Sequence, residues 1–165
     1  MDAIGLITLE AEVRDDVRVA REAARSARSR FEEADASGRE SCAFQLLRLF
    51  NIVEQMGLRI ARSFENHLDQ DKGWHAELIH RLGIAFPGVR PALYPDHLVR
   101  SLRELRGFWH VISHAYDLEI DGERLGRVLD HAQTFCESLP ETIDVFFSRV
   151  REQEGVEPPR NGGNP

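Results

Sequence analysis

Apolar residues recur along this chain at the three- and four-residue spacing of a helix, and the strict alternation that marks a strand is nearly absent. Leu46, Leu47, Phe50, Val53, Gly57, Ile60, Ala61 and Phe64 form the clearest stripe and predict a core-facing helix over about 41–65. Before it, a first helix is predicted over about 3–34, followed by "DASGRES" as a turn. The second half of that first helix, "REAARSARSRFEEA", is polar nearly all round, which predicts exposed or frayed last turns. After the loop "NHLDQDKG", the stretch "WHAELIHRLGIAF" reads as a shorter third helix over about 74–86. The prolines and glycine of "PGVRPALYPDH" stop it, and Asp96 suits the first turn of a fourth helix that runs to about 114. A fifth is predicted over about 124–151, with a kink at Pro140. The expectation is an all-α bundle of four to five helices. Residues 1–152 would form a single helical domain and 153–165 a flexible C-terminal tail.

Composition narrows the function classes. A chain of 165 residues is long enough for one sizeable core, and its 42% hydrophobic and 30% charged residues fit a globular protein. No apolar run approaches the roughly 18 residues of a membrane span, and acids stand at the amino terminus where a signal peptide would carry lysines. The expected setting is cytoplasmic, with no membrane partner. Cys42 and Cys136 are too few and too far apart for a disulfide framework or a zinc site. The net charge of −7 argues against a general electrostatic grip on nucleic acid, so any such grip would be local. Arg90, Arg100, Arg103 and Arg106 are the one concentration of arginine near the chemistry-bearing segment, a run that more often marks a solvated helix face. Internal repeats, a glycine-rich phosphate loop, an H-E-x-x-H helix and a nucleophile elbow are all missing.

The segment "LRGFWHVISHAYDLEID" stands out. At about 100° per residue, Arg103, Arg106, His110 and His114 fall within roughly 80° of one another, one polar stripe that is basic at its start and imidazole-bearing at its end. Imidazole exchanges protons near neutrality and guanidinium grips phosphate through a planar fork. Together they suffice for metal-free RNA cleavage, with imidazole moving the proton and guanidinium stabilising charge on phosphorus. The same histidines would serve equally well as bundle hydrogen bonders or as partners of the last turn's carbonyls, and periodicity leaves both readings open. No third ligand at a recognisable spacing accompanies His110 and His114, so neither a metal nor a cofactor is expected. His67, His75, His80, His97 and His131 are scattered and read as structural or surface residues.

"RELRGFWHVISHAYDLEID" resembles the signature region of HepT-like ribonuclease toxins, members of the HEPN group of small helical RNases, whose motif is R-x-x-x-x-H, commonly extended to R-x-x-x-x-H-x-Y. "NIVEQMGLRIAR" and "GWHAELIHRLGIAFPGVRPALYPDHL" are similar to that family's second and third helices. The resemblance implies that His114 is the motif histidine and Tyr116 the motif tyrosine, that His110 is the polar residue following the motif arginine, and that Trp109 occupies the arginine's own position. Indole has one neutral donor and no charge, so it cannot stabilise a phosphorane as guanidinium does. The expectation is therefore a toxin scaffold with weakened or absent endoribonuclease activity, Arg106 and Arg103 contacting RNA phosphates, and Trp109 either stacking on a base or marking lost activity. The resemblance further implies a homodimer whose motifs face one another across a cleft. It also implies a nucleotidyltransferase (MNT-type) antitoxin that attaches AMP to Tyr116. The alternative is a non-catalytic helical partner, or a subunit that presents substrates to a nucleotidyltransferase.

Overall fold

The structure, a computed structural model, describes residues 1–33, 35–65, 73–114 and 119–155. Five helices follow one another: α1 (Ala3–Phe31), α2 (Ala36–Phe64), α3 (Trp74–Leu82), α4 (Asp96–His114) and α5 (Gly122–Glu154). The all-α expectation holds. Among the described residues the one piece of β pairing is an isolated bridge between Phe86 and Arg90. The long helices α1, α2 and α5 pack on one another, and α4 lies against α5 and α2 while α3 closes the end of the α2–α4 pair.

Two helix boundaries differ from expectation for reasons of local chemistry. The "DASGRES" segment is not a turn before α2 but largely its first turn: the Asp35 carboxylate accepts the Gly38 amide at 2.6 Å and caps the helix from Ala36. Gly38 is required there, because a Cβ would sit 2.7 Å from the Arg30 carbonyl oxygen at the end of α1. The third helix stops at Leu82, a turn short of Phe86, because the Leu82 carbonyl accepts the amides of both Leu93 and Tyr94 and the chain turns through Phe86–Arg90. Asp2 and Asp121 cap α1 and α5 in the same way as Asp35, through the amides of Gly5 and Glu123. Helix α5 passes through Pro140 as one element and extends to Glu154.

The second half of α1 is a correction. Expected to be exposed or frayed, it stays helical to Phe31 and buries Ala20, Ala23, Ala24 and Ala27. Alanine carries too little apolar surface to stand out among charged neighbours, yet at this spacing it lets helices approach closely. The Ala24 carbonyl accepts a 2.7 Å bond from the Gln133 amide of α5. The stripe predicted on α2 faces the core, with Leu46, Phe50, Val53, Gly57, Ile60 and Ala61 buried and Leu47 and Phe64 half-buried. Cys42 and Cys136 are both free and buried, and burial pushes their thiols up to about 11 and about 12.

Arg90 leaves the basic run that the sequence suggested. Its side chain is fully buried: Nε donates to Glu65 at 2.8 Å, and the terminal nitrogens donate to the carbonyls of Ile84, Pro91 and Arg81. Arg81 also pairs with Glu65, and both guanidinium groups lie 4.9 Å from the centroid of the Phe86 ring. This knot ties the end of α2 to α3 and to the connection into α4.

Candidate functional site

Helix α4 divides its residues by period. Leu98, Val99, Leu102, Leu105 and Phe108 are buried against α5, α3 and α2. With that face fixed inward, Arg103, His110 and His114 emerge exposed along another flank, and Arg106 is half-buried between them. The structure therefore brings the predicted stripe together on one accessible face. Arg103 makes no ion pair among the described residues, and the Nε of Arg106 is buried without a hydrogen-bond partner among them.

The two histidines are neighbours, with ring centroids 4.6 Å apart. The Nδ1 of His114 lies 2.8 Å from the His110 carbonyl oxygen, which can only accept, so Nδ1 carries a proton and donates. That bond orients the ring and leaves Nε2 to exchange a proton with a ligand. Tyr116 and His67 lie outside the described residues.

Trp109 is half-buried rather than free. Its ring centroid is 5.5 Å from Phe50 and 4.8 Å from His75, and it meets His114 edge-on at 6.5 Å. On its open side the indole lines a groove of about 550 Å³ between α1, α2 and α4, shared with Phe44, Leu47 and Ile52. The indole thus joins the core to the groove.

His75, read from the sequence as a structural or surface residue, has a structural place whose partners the sequence did not show. It lies beside Trp109, stacked on Trp74 at 4.0 Å, with Nδ1 paired to Glu54. Glu54 is itself largely covered, and burial raises its carboxyl above the usual range, against the pull of His75. A signal was present: Glu54 follows Phe50 by one turn and Val53 by one residue on an apolar stripe, where a carboxylate needs a partner. His131 has a structural role, its Nδ1 3.3 Å from the buried Ser101 hydroxyl. His80 and His97 are exposed. Among the described residues no group of three or more His, Cys, Asp or Glu side chains is placed to hold a metal ion, and no helix is long and apolar enough to cross a membrane.

Residues 41–150, from the first turns of α2 to near the end of α5, match the family described as HepT-like protein. No curated protein and no solved structure matches the chain. The matched segment contains the whole α4 stripe, Trp109 and the His75–Glu54 pair, while α1 precedes it. With the match covering well over half of the chain and the helical bundle in agreement, this protein belongs to the HepT-like family.

Proposed function

We propose that this protein is the toxin member of a toxin–antitoxin pair, built on a metal-independent endoribonuclease scaffold whose cleavage is weakened or lost because Trp109 stands where the motif has arginine. One observation carries the reading: His114 is held through Nδ1 by the His110 carbonyl with Nε2 left for chemistry, on a face that also presents Arg103 and Arg106. In this reading His114 moves the proton between the 2'-hydroxyl and the leaving oxygen. His110 helps place the phosphate, and Arg106 and Arg103 contact the RNA backbone. The missing element is a guanidinium aimed at the charge that develops on phosphorus; losing one such stabiliser removes about 10² to 10³ in rate. The test is Trp109→Arg, assayed on cellular RNA in EDTA: the variant is expected to cleave where the chain as it stands does not.

A homodimer with two such faces across a cleft and a nucleotidyltransferase antitoxin acting on Tyr116 belong to the same proposal, set in the cytoplasm. Native mass spectrometry checks both together. Twice the chain mass is expected, and after incubation with a cognate nucleotidyltransferase, ATP and magnesium, AMP increments that Tyr116→Phe abolishes. A monomer mass, or increments that persist in Tyr116→Phe, would contradict the respective part.

A second reading has its own observation. The packing of Trp109 on Phe50 and His75 gives the indole a structural place, which suits a non-catalytic partner or substrate-presenting subunit of a nucleotidyltransferase. An inert Trp109→Arg variant that still carries AMP on Tyr116 would favour it.

A further inference from the structure

The groove beside Trp109 has a chemistry that the acid–base stripe does not use. Phe44, Arg48, Asn51 and Gln55 succeed one another on α2 at spacings of four, three and four residues, so they share one face over about 16 Å of helix. Phe44 leaves 63% of its surface exposed, far more than an aromatic ring retains when it serves the core. Arg48, Asn51 and Gln55 are exposed and make no side-chain hydrogen bond or ion pair among the described residues. The two ends differ in sign. Arg48 lies beside Phe44 at one end, whereas at the other Asp16 of α1 comes in near Gln55, held by a 3.3 Å bond from Arg59 one turn further along α2.

We infer that this groove is a nucleotide subsite: it takes one unstacked guanine nucleotide of an RNA strand, the base against Trp109, its amino edge toward Gln55 and Asp16, and its phosphate toward Arg48 and the Phe44 end. A volume near 550 Å³ lies in the range of small-ligand sites. Aromatic rings bind bases by their faces, planar amides match the donor–acceptor pairs of base edges, and a carboxylate accepts the adjacent N1–H and N2–H donors of guanine. Arg59 at the Gln55 end is already engaged by Asp16 and Glu12, whereas Arg48 makes no ion pair among the described residues, so Arg48 sets the direction in which a nucleotide's phosphate lies. The groove flanks the His110–His114 face through Trp109, which touches both. The indole that costs the motif its cation thereby supplies a wall for a base. The inference rests on the RNA reading of the preceding section, but its test does not depend on cleavage.

Trp74 and Trp109 are the two tryptophans of the chain, so Trp74→Phe leaves Trp109 as the sole indole reporter. Titration of this variant is expected to show saturable quenching by guanosine and by guanosine 5'-monophosphate. No response is expected to ribose 5-phosphate, and uridine 5'-monophosphate, which lacks an amino group, should bind about tenfold more weakly. Gln55→Ala should weaken both guanine ligands about tenfold, and Arg48→Ala should weaken the nucleotide about tenfold toward the level of the nucleoside. Saturation-transfer NMR on the unsubstituted chain reads the same binding without any change at Trp74. Absence of binding to guanosine 5'-monophosphate at about 10 mM overturns the inference, since even a weak mononucleotide site is filled there. Equal binding of ribose 5-phosphate overturns it in favour of a plain anion site. A dimer that Phe44→Ala converts to monomer, with nucleotide binding absent from both, overturns it in favour of a subunit contact. Cleavage by Trp109→Arg without guanine binding would leave the ribonuclease reading standing and remove the subsite; guanine binding with an inert Trp109→Arg would do the reverse.

Discussion

Arg90 and Arg106 stand sixteen residues apart and treat their charge in opposite ways. Arg90 is enclosed and has a partner for each guanidinium nitrogen, in Glu65 and three carbonyls. Arg106 belongs to a face with Arg103, His110 and His114, of which Arg103, His110 and His114 are exposed, while its own Nε is buried without a partner among the described residues. The first arrangement is architecture, because every hydrogen bond is made within the fold. The second is capacity, because exposed guanidinium and imidazole groups are left facing outward. Sequence patterning placed both arginines in one basic run, and tertiary context separates them.

The largest effect should come from breaking the enclosed cation. Arg90→Ala leaves three carbonyls without their donor and Glu65 with Arg81 alone, so a loss of about 3–5 kcal/mol is expected in urea unfolding. Arg103→Ala should stay within about 0.5 kcal/mol. Similar losses for the two variants would erase the distinction between architecture and capacity.

The next effect sharpens the open face and is read in the Trp109→Arg background. His114→Ala should reduce cleavage by about 10² to 10⁴, the range of a positioned proton-transfer group. His110→Ala should reduce it less, since alanine keeps the main-chain carbonyl that orients the His114 ring. Unimpaired rates in both variants would return the pair to a structural role.

The smallest effect concerns the pair behind the indole. Glu54 has its carboxyl raised in the fold above 4.5 by burial. The native state therefore keeps a proton that the unfolded chain has released, and this group's contribution to stability falls as pH rises from 4.5 through the folded value. Glu54→Gln retains an acceptor for His75 and removes that decline. Its melting temperature relative to the unsubstituted protein should climb over the same window and then level off. A relative fall would mean that the ion pair with His75 outweighs the cost of burial.

The fold was legible because helical periodicity is a local property. Leu46, Phe50, Val53 and Ile60 declare α2, and Asp96 with the leucines behind it declares α4, within a few turns of chain. The misses are of two kinds. The back of α1 and the start of α2 depend on residues whose small size is the point, alanines between helices and Gly38 against Arg30, and hydropathy does not register size. Arg90 with Glu65, and His75 with Glu54 and Trp109, meet across 21 to 34 residues of sequence, and no spacing rule reaches that far. On α4 itself the stripe was readable, because Arg103 to His114 share a helix. That Trp109 bridges core and groove was not, because its neighbours come from α1, α2 and α3.

The central claim is that the scaffold retains an acid–base face and lacks one cation. Cleavage of total RNA in EDTA by the unsubstituted chain and by Trp109→Arg, compared at equal concentration, tests it most directly. The account predicts a gain of about 10² to 10³ in rate on introducing the guanidinium, abolished again by His114→Ala. Robust cleavage by the unsubstituted chain together with an inert Trp109→Arg variant would contradict it.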